Sequence, residues 1–295
     1  MGTDIIIEKR KVPIDMPSYD WRELGLIKNI SEQCQKEYYK KEIYQILPIK
    51  FLIKILTTDQ IRFMNIARHW QDPYELFMLK YDIIVDGHSC KDKMSQMSMR
   101  YYGQCWSEKR DSDAMWRIYS HDMGSVRIKT TVGKMIDVIN QTREMVSVVP
   151  LFGKVQYLNK KEMSSWLKTK LNEGSGQLYF TFGDSLFVKR EEFVHESEAR
   201  FILYFDEQYA SSNIDKMKCK CSNMNDGFIG LEVDPSGFIE EIAFDPRLSV
   251  EDFADWKNML SMVSGNIPIV QSDLYKFQPD SFVLKKTPMH VTLIS

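Results

Sequence analysis

The chain has 295 residues, a formal net charge of −2, 43% hydrophobic and 27% charged residues, an ordinary globular composition with no disordered or fibrous bias. Near-neutral charge gives no global footprint for nucleic acid, so any such binding has to rely on local patches. The amino terminus lacks a signal-peptide apolar core and no run approaches the roughly 18 apolar residues of a membrane span, which reads as a cytoplasmic protein without membrane association.

The five cysteines (Cys34, Cys90, Cys105, Cys219, Cys221) are odd in number and scattered, as expected of reduced thiols rather than a disulfide framework. Cys219-Lys-Cys221 has no second Cys or His pair at ligand spacing, so no metal is expected. A Gly-rich phosphate loop, His-Glu-x-x-His and Gly-x-Ser-x-Gly are all missing, which removes the commonest nucleotide-hydrolase, metalloprotease and serine-hydrolase readings.

Residues 1–40 read as an extension: a short apolar-then-basic arm over Asp4 to Ile14, then a polar helix from Ser18 to Lys41 with Trp21, Leu24 and Ile27 on one side. Residues 41–295 read as one domain. A strand from Lys41 to Leu47 is stopped by Pro48, and Ile49 to Leu56 is a helix with Phe51, Leu52 and Ile55 on its stripe. Ile61 to Met64 is a short strand. In Trp70-Gln-Asp-Pro-Tyr-Glu75, Asp72 suits a helix N-cap, Pro73 the first helical position and Glu75 the return bond to the cap. Tyr74, Phe77, Met78, Tyr81 and Val85 follow at helical spacing, so a capped helix and a buried Trp70 account for the box without chemistry.

Residues 86–99 are polar and Met-rich and read as a surface loop. Tyr101 to Ser107 is a strand, followed by a helix capped at Asp111 or Ser112 that carries Trp116 and Tyr119 on one face. Such a pair fits a core, or a flat stack on a cofactor ring. Ser125 to Lys129 is a strand and Thr131 to Glu144 an amphipathic helix. Strands are then expected at Val146–Pro150, Lys154–Leu158, Gln177–Phe182, Leu186–Val188, Gly227–Val233 and Phe238–Phe244, with a helix near Lys161–Leu171. Residues 206–226, with Lys216, Lys218 and Lys220, form a polar insertion. Ser249-Val-Glu-Asp252 caps a last helix, and Ile267 to Tyr275 closes as a strand. Helices first and antiparallel strands later give an α+β class.

Thirteen residues, Phe193 to Phe205, read as a strand that organises the rest. Alternation places Glu196, Glu198 and Arg200 on one face, and the apolar run Phe201 to Phe205 marks a strand buried on both faces. The charged half is then expected at a rim or the mouth of a cleft. Two readings stay open: a solvated face with Arg200 as counterion, or a site.

Three boxes, Trp70-Gln-Asp-Pro-Tyr-Glu75, Cys105-Trp-Ser107 with Met115-Trp116 and Tyr119, and Glu196-Ser-Glu-Ala-Arg200, together resemble a bacterial domain family. That family looks like a divergent branch of the ADP-ribosyltransferase superfamily, whose members include toxins and phage-defence enzymes. The resemblance covers roughly residues 42 to 260. It implies a split antiparallel β core with flanking helices, NAD as substrate, and transfer of ADP-ribose to a nucleic acid or protein, with NAD hydrolysis or a non-catalytic interaction module as alternatives. It also implies an inhibitory partner such as an antitoxin, or a chaperone. By resemblance Glu198 steadies the ribose cation, Glu196 serves the acceptor, and Ser107 shapes the nicotinamide-ribose pocket. Trp116 or Tyr119 flanks the ring, and the first superfamily position falls at Tyr44 or Gln45. Gln45 departs from the expected Arg, and Arg62, Arg68 or Arg200 is the candidate replacement cation. For a nucleic-acid acceptor the candidate groove is Lys154, Lys160, Lys161, Lys168 and Lys170 around Trp166, with Lys285-Lys286, against the reading of a solvated helix face.

Overall fold

In the computed structural model, the structure describes residues 5–7, 34–85, 87–143, 148–172, 178–205 and 227–277. Strand β1 (Ile5–Ile7) and helix α1 (Gln35–Tyr38) lead into β2 (Glu42–Pro48), α2 (Ile49–Thr58), β3 (Gln60–Asn65), α3 (Ile66–His69), β4 (Ile83–Val85) and β5 (His88–Ser89). Then come α4 (Lys91–Ser98), β6 (Tyr101–Ser107), α5 (Asp113–Tyr119), β7 (Ser125–Thr131), α6 (Val132–Arg143), β8 (Val148–Lys154), β9 (Gln156–Leu158), α7 (Lys160–Asn172) and α8 (Leu178–Ser185). The chain continues through β10 (Val188–Arg190), β11 (Glu198–Phe205), β12 (Phe228–Glu232), α9 (Pro235–Phe238), β13 (Glu241–Phe244), α10 (Val250–Ser261) and β14 (Ile269–Gln271). The class is α+β, a mostly antiparallel central sheet flanked by helices.

Nine strands form that sheet among the described residues. Strand β6 organises it. One of its edges carries β11 through seven paired residues, Glu198 opposite Ser107 to Tyr204 opposite Tyr101. The other edge is shared: β3 takes it at Tyr102 and Gly103, and β2 touches it at one pair, Tyr44 opposite Ser107. Between these contacts the Gln45 side-chain amide donates to the Cys105 carbonyl at 2.9 Å. The sheet is therefore split, with β12-β3-β6-β11-β8 on one side of the fork and β2-β7-β13-β14 on the other.

Alternation sorts the side chains onto two cores. Ile43, Leu47, Trp106, Val126, Ile128, Phe201, Leu203, Ile242 and Phe244 face a larger core with Leu52 and Ile55 of α2 and Met135 and Ile139 of α6. Ile202 and Tyr101 turn to a smaller one with Met163 and Leu167 of α7, Phe182, and Met94 and Met97 of α4. Strand β11, paired on both edges and covered on both faces, is the central strand that its apolar run predicts.

Local signals explain most boundaries. Pro48 ends β2, and Asp59, at φ 52°, closes α2 by donating its N–H to the Ile55 carbonyl, as a left-handed C-terminal residue does. Ile49, Leu52 and Ile55 are the buried stripe of α2, whereas Phe51 is 46% exposed. Ser112 caps α5 and Ser249 caps α10, each accepting from the amide three residues on.

Several expectations are corrected. Where a strand is expected at 177–182, α8 starts at Leu178 instead, and its Phe182, with Leu186 just past its end, enters the smaller core. The supposed loop at 86–99 contains α4, whose Met94 and Met97 are buried at helical spacing. The Asp72 box does not start an α-helix: a turn leads to a single 3-10 turn, Phe77–Lys80. Phe238 closes α9, so β13 begins only at Glu241. The thirteen-residue strand is shorter too, since Glu191–Glu196 is a 3-10 segment and the strand starts at Glu198. The Trp21 helix, the insertion at 206–226, Cys219-Lys-Cys221 and Lys285-Lys286 lie outside the described residues. Among the described residues no helix is long and apolar enough to cross a membrane.

Candidate active site

Ser197, between the two acidic residues, sits at φ 47° and ψ 56°, a left-handed conformation that a non-glycine residue holds only when its surroundings fix it. They do: its N–H donates to the Val194 carbonyl and its own carbonyl accepts from the Glu108 amide. This corner breaks the alternation and turns Glu196 back toward Glu198. The two carboxyls meet by a turn, then, rather than by sharing a strand face.

Both are buried, Glu196 at 4% exposure and Glu198 at 6%. This contradicts their expected place at the mouth of a cleft. The Lys189 ammonium lies between them, 2.5 Å from Glu196 Oε2 and 2.6 Å from Glu198 Oε1, and 3.3 Å from Glu75 Oε1. Arg200, fully buried, donates from Nε to Glu198 Oε2 at 2.6 Å, from Nη1 to the Leu186 carbonyl at 2.8 Å, and from Nη2 to Glu75 Oε1. Its guanidinium carbon lies 4.3 Å from the Trp70 ring centroid, so the indole closes one side of the cation. Tyr119 donates its hydroxyl to Glu196 Oε1 at 3.0 Å, and the Tyr157 hydroxyl accepts the Glu198 N–H at 2.8 Å.

Three acids and two bases thus share one buried cluster, and the excess of acid decides its protonation. Burial, followed by the hydrogen bond and charge of Glu198, pushes Glu196 up from the ordinary carboxyl value, although Lys189 opposes. Burial pushes Glu198 the same way, but Arg200, Glu196 and Lys189 overcome it and hold that carboxyl well below the ordinary range. Two neighbouring carboxyls are therefore split, one firmly ionised and one inclined to keep its proton. Burial pushes the Lys189 ammonium down, and Glu198 and Glu75 more than reverse this, so it stays charged. Cys105, opposite Arg200 on β6, is raised by burial and then by Glu198, which makes it an inert thiol.

Register carries the cluster across the sheet. Glu198 pairs with Ser107, and Ser107 with Tyr44, so these three side chains occupy one rung and point to the same face. Ser107 donates to the Glu196 carbonyl at 2.8 Å. Tyr44 donates to Glu42 Oε2 at 2.5 Å and lies beneath Arg127, 5.3 Å from its ring centroid. Of the expected site residues, Glu196, Glu198, Arg200, Ser107 and Tyr119 come together, with Tyr44 on the adjoining strand. Gln45 does not join them, because alternation sends it to the opposite face and its amide bridges the fork. Trp116 does not either: it is fully buried, with Nε1 donating to Asp111 at 2.9 Å. Among the described residues Arg62 and Arg68 form no hydrogen bond or ion pair with the carboxyl pair, whereas Arg200 is part of its cluster.

Lys189 and Tyr157 belong to the cluster but are not singled out by sequence, whereas Trp70 and Glu75 stand out there only within their box and not as site residues. The signal for Lys189 is its place where Phe187-Val188 meets the charged run Lys189-Arg190-Glu191-Glu192. Glu75 and Asp72 look like a capping pair; instead Glu75 answers Arg200, and Asp72 binds Arg190 at 3.1 Å and the Tyr74 amide at 3.1 Å.

A hollow of about 550 Å3 lies between Pro48, Ile53, Ile118, Tyr119, His121 and Trp256. Tyr119 is the residue it shares with the cluster, through the hydroxyl that donates to Glu196; the acids and their cations do not line it. On α7, Trp166 meets Phe77 edge-on and packs toward the smaller core, while Lys154 pairs with Glu108 at 2.7 Å and Lys170 with Asp184 at 3.7 Å. Among the described residues no group of three or more His, Cys, Asp or Glu is placed to hold a metal ion.

No protein-family model matches the chain, and no curated protein matches it. Among solved structures it is similar to DarT of Thermus sp. 2.9 in complex with NAD+, with a TM-score of 0.33 and 12% identity over 79% of this chain and 96% of that one. The same protein in complex with ADP-ribosylated ssDNA gives a TM-score of 0.33 and 12% identity over 83% and 97%. Neither likeness bears on the chemistry of the site, which rests on the residues themselves.

Proposed function

We propose that this chain is an ADP-ribosyltransferase that uses NAD as substrate and modifies a macromolecular acceptor, nucleic acid or protein, as a cytoplasmic toxin or defence effector restrained by a partner protein. The observation that carries the reading is the rung Glu198–Ser107–Tyr44: three residues far apart in sequence, matched to the resemblance one by one, fall side by side on one sheet face. The split between the paired carboxyls, Glu198 held ionised and Glu196 pushed up to about 7 by burial and by Glu198, adds to it.

In this reading the bond from ribose C1′ to the nicotinamide nitrogen breaks, and its electron pair leaves with neutral nicotinamide. Positive charge grows on the ribose, as in glycoside hydrolysis, but the leaving group needs no proton. Glu198, held ionised, accepts from the ribose 2′-hydroxyl and opposes that charge where it develops. A carboxylate has about four lone-pair sites, so its bonds to Lys189 and Arg200 leave room for one hydroxyl. The acceptor atom then bonds to C1′ and loses its proton, which the ionised form of Glu196 takes. Tyr119 flanks the nicotinamide-ribose side, and Tyr44 stands toward the adenosine side.

Nicotinamide release from NAD by the purified protein, with Glu198→Gln beside it, tests the proposal. Turnover that falls by about a hundredfold or more in the variant is expected. Label from NAD then appears in RNA, DNA or protein and identifies the acceptor; label only in free ADP-ribose marks a hydrolase. A second reading, a non-catalytic interaction module, is favoured by the burial of Glu198 and the engagement of both its oxygens. Turnover absent from the wild type, or unchanged by Glu198→Gln, supports that second reading.

A further inference from the structure

We propose that Lys189 is the positioning residue of the carboxyl pair: its ammonium sets the spacing and orientation of Glu196 and Glu198 and shares its charge between them. The proposal deepens the functional reading above, since it treats those two acids as the working pair.

The ammonium donates to both acids of the pair and has a third carboxylate as an ion-pair partner. An ammonium has three N–H donors on a compact head, and three carboxylate oxygens surround this one: Glu196 Oε2 at 2.5 Å, Glu198 Oε1 at 2.6 Å and Glu75 Oε1 at 3.3 Å. An arginine fork suits one carboxylate, held side by side; it does not suit three converging ones. Strand β10 delivers the lysine by pairing with β9, which puts Lys189 opposite Tyr157, and the Phe193 ring lies 4.6 Å from the ammonium. Lys189 is 6% exposed, so water does little to relieve the cluster if the cation is lost.

Every neighbouring element contributes a charged or titratable group. Glu75 comes from the turn after α3, Cys105 from β6, Tyr119 from α5 and Tyr157 from β9, with Glu198 and Arg200 from β11. Arg200 bonds to Glu198, Glu75 and the Leu186 carbonyl, not to Glu196. Lys189 is thus the cation that both acids share.

The test follows glutamate side-chain carboxyl signals by carbon-13 NMR across pH, assigned with Glu196→Gln. Lys189→Met is expected to move the Glu196 midpoint upward by more than about one pH unit, and Lys189→Arg to restore part of the shift. If Lys189→Met does not fold, Lys189→Met/Glu196→Gln removes one buried base with one buried acid; Glu198 then titrates higher than in Glu196→Gln alone. Midpoints that stay put in Lys189→Met, or a Glu198 midpoint equal in the double and single variants, overturn the proposal. With NAD turnover in hand, the pH at which activity rises moves upward in Lys189→Met and returns partway in Lys189→Arg. A carboxyl response without any wild-type turnover keeps the role of Lys189 and removes the proposed function; turnover with unmoved midpoints does the reverse.

Discussion

The Ser107 hydroxyl donates to the backbone carbonyl of Glu196 at 2.8 Å and accepts the Lys109 amide at 3.1 Å, so the end of one strand is fastened to the corner that brings the two acids together. Because this bond grips the main chain of Glu196 and leaves its carboxyl to Lys189 and Tyr119, it acts on where that residue sits.

Ser107→Ala leaves a buried carbonyl and an amide short of a partner, an expected cost of about 1–3 kcal/mol. Urea denaturation measures it. Ser107→Thr, which keeps the hydroxyl, recovers most of the loss if the bond is its cause; equal losses in both variants would point to crowding instead.

Stability should fall as pH rises from about 4.5 toward about 7, where the folded Glu196 carboxyl titrates. Its folded value lies above its unfolded one, so in this window the unfolded chain releases the proton first and becomes favoured; below it the contribution is complete. Glu198 has the opposite sign, since its depressed value gives stability above the unfolded value that is lost on further acidification. Glu196→Gln removes the first slope, worth up to about 3 kcal/mol. Urea midpoints of wild type and variant at pH 5 and 8 provide the comparison, and parallel curves refute the assignment.

Arg200→Met is expected to cost about 3–5 kcal/mol, because Glu75 and Glu198 are left buried with Lys189 as their remaining cation partner. The companion Arg200→Met/Glu75→Gln should recover a measurable part. Full additivity of the two changes in thermal denaturation would mean that the pair does not interact.

Gly103→Ala should destabilise by about 1–3 kcal/mol. A Cβ there would lie 2.9 Å from Ile202 Cδ1, 3.0 Å from Trp70 Cζ2 and 3.2 Å from Ile66 Cγ2. The isoleucine end can rotate away, but the rigid indole must shift, and it is the indole that covers Arg200. A changed Trp fluorescence maximum alongside the loss is the expected signature; a stable variant with unchanged emission counts against it.

The large features were legible because they depend on local periodicity. Strands β2, β6 and β7, helices α2, α6, α7 and α10, and the doubly buried run of β11 all follow from alternation, spacing or a cap. What misled was local pattern with a distant partner. Asp72 and Glu75 have the spacing of a capping box, but Arg190 and Arg200, more than a hundred residues away, draw their oxygens elsewhere. Glu196 appears to continue the alternation of β11, yet Ser197 turns the chain. Lys189 carries almost no signature, since one lysine beside apolar residues gains meaning only from three acids brought in by other elements. The resemblance points to Ser107, Glu198 and either Tyr44 or Gln45, but the alignment of Tyr44, Ser107 and Glu198 is a fact of register that no single stretch contains.

The single register pair between β2 and β6 also has a mechanical side. The sheet is built as two panels joined by a narrow seam, with the acid pair on one and Tyr44 on the other. A molecule lying along that row would brace both panels at once, while tilting them would strain the larger core, whose side chains come from both. The spacing along the row is therefore held by the packing beneath it, and an occupant must fit the width it meets.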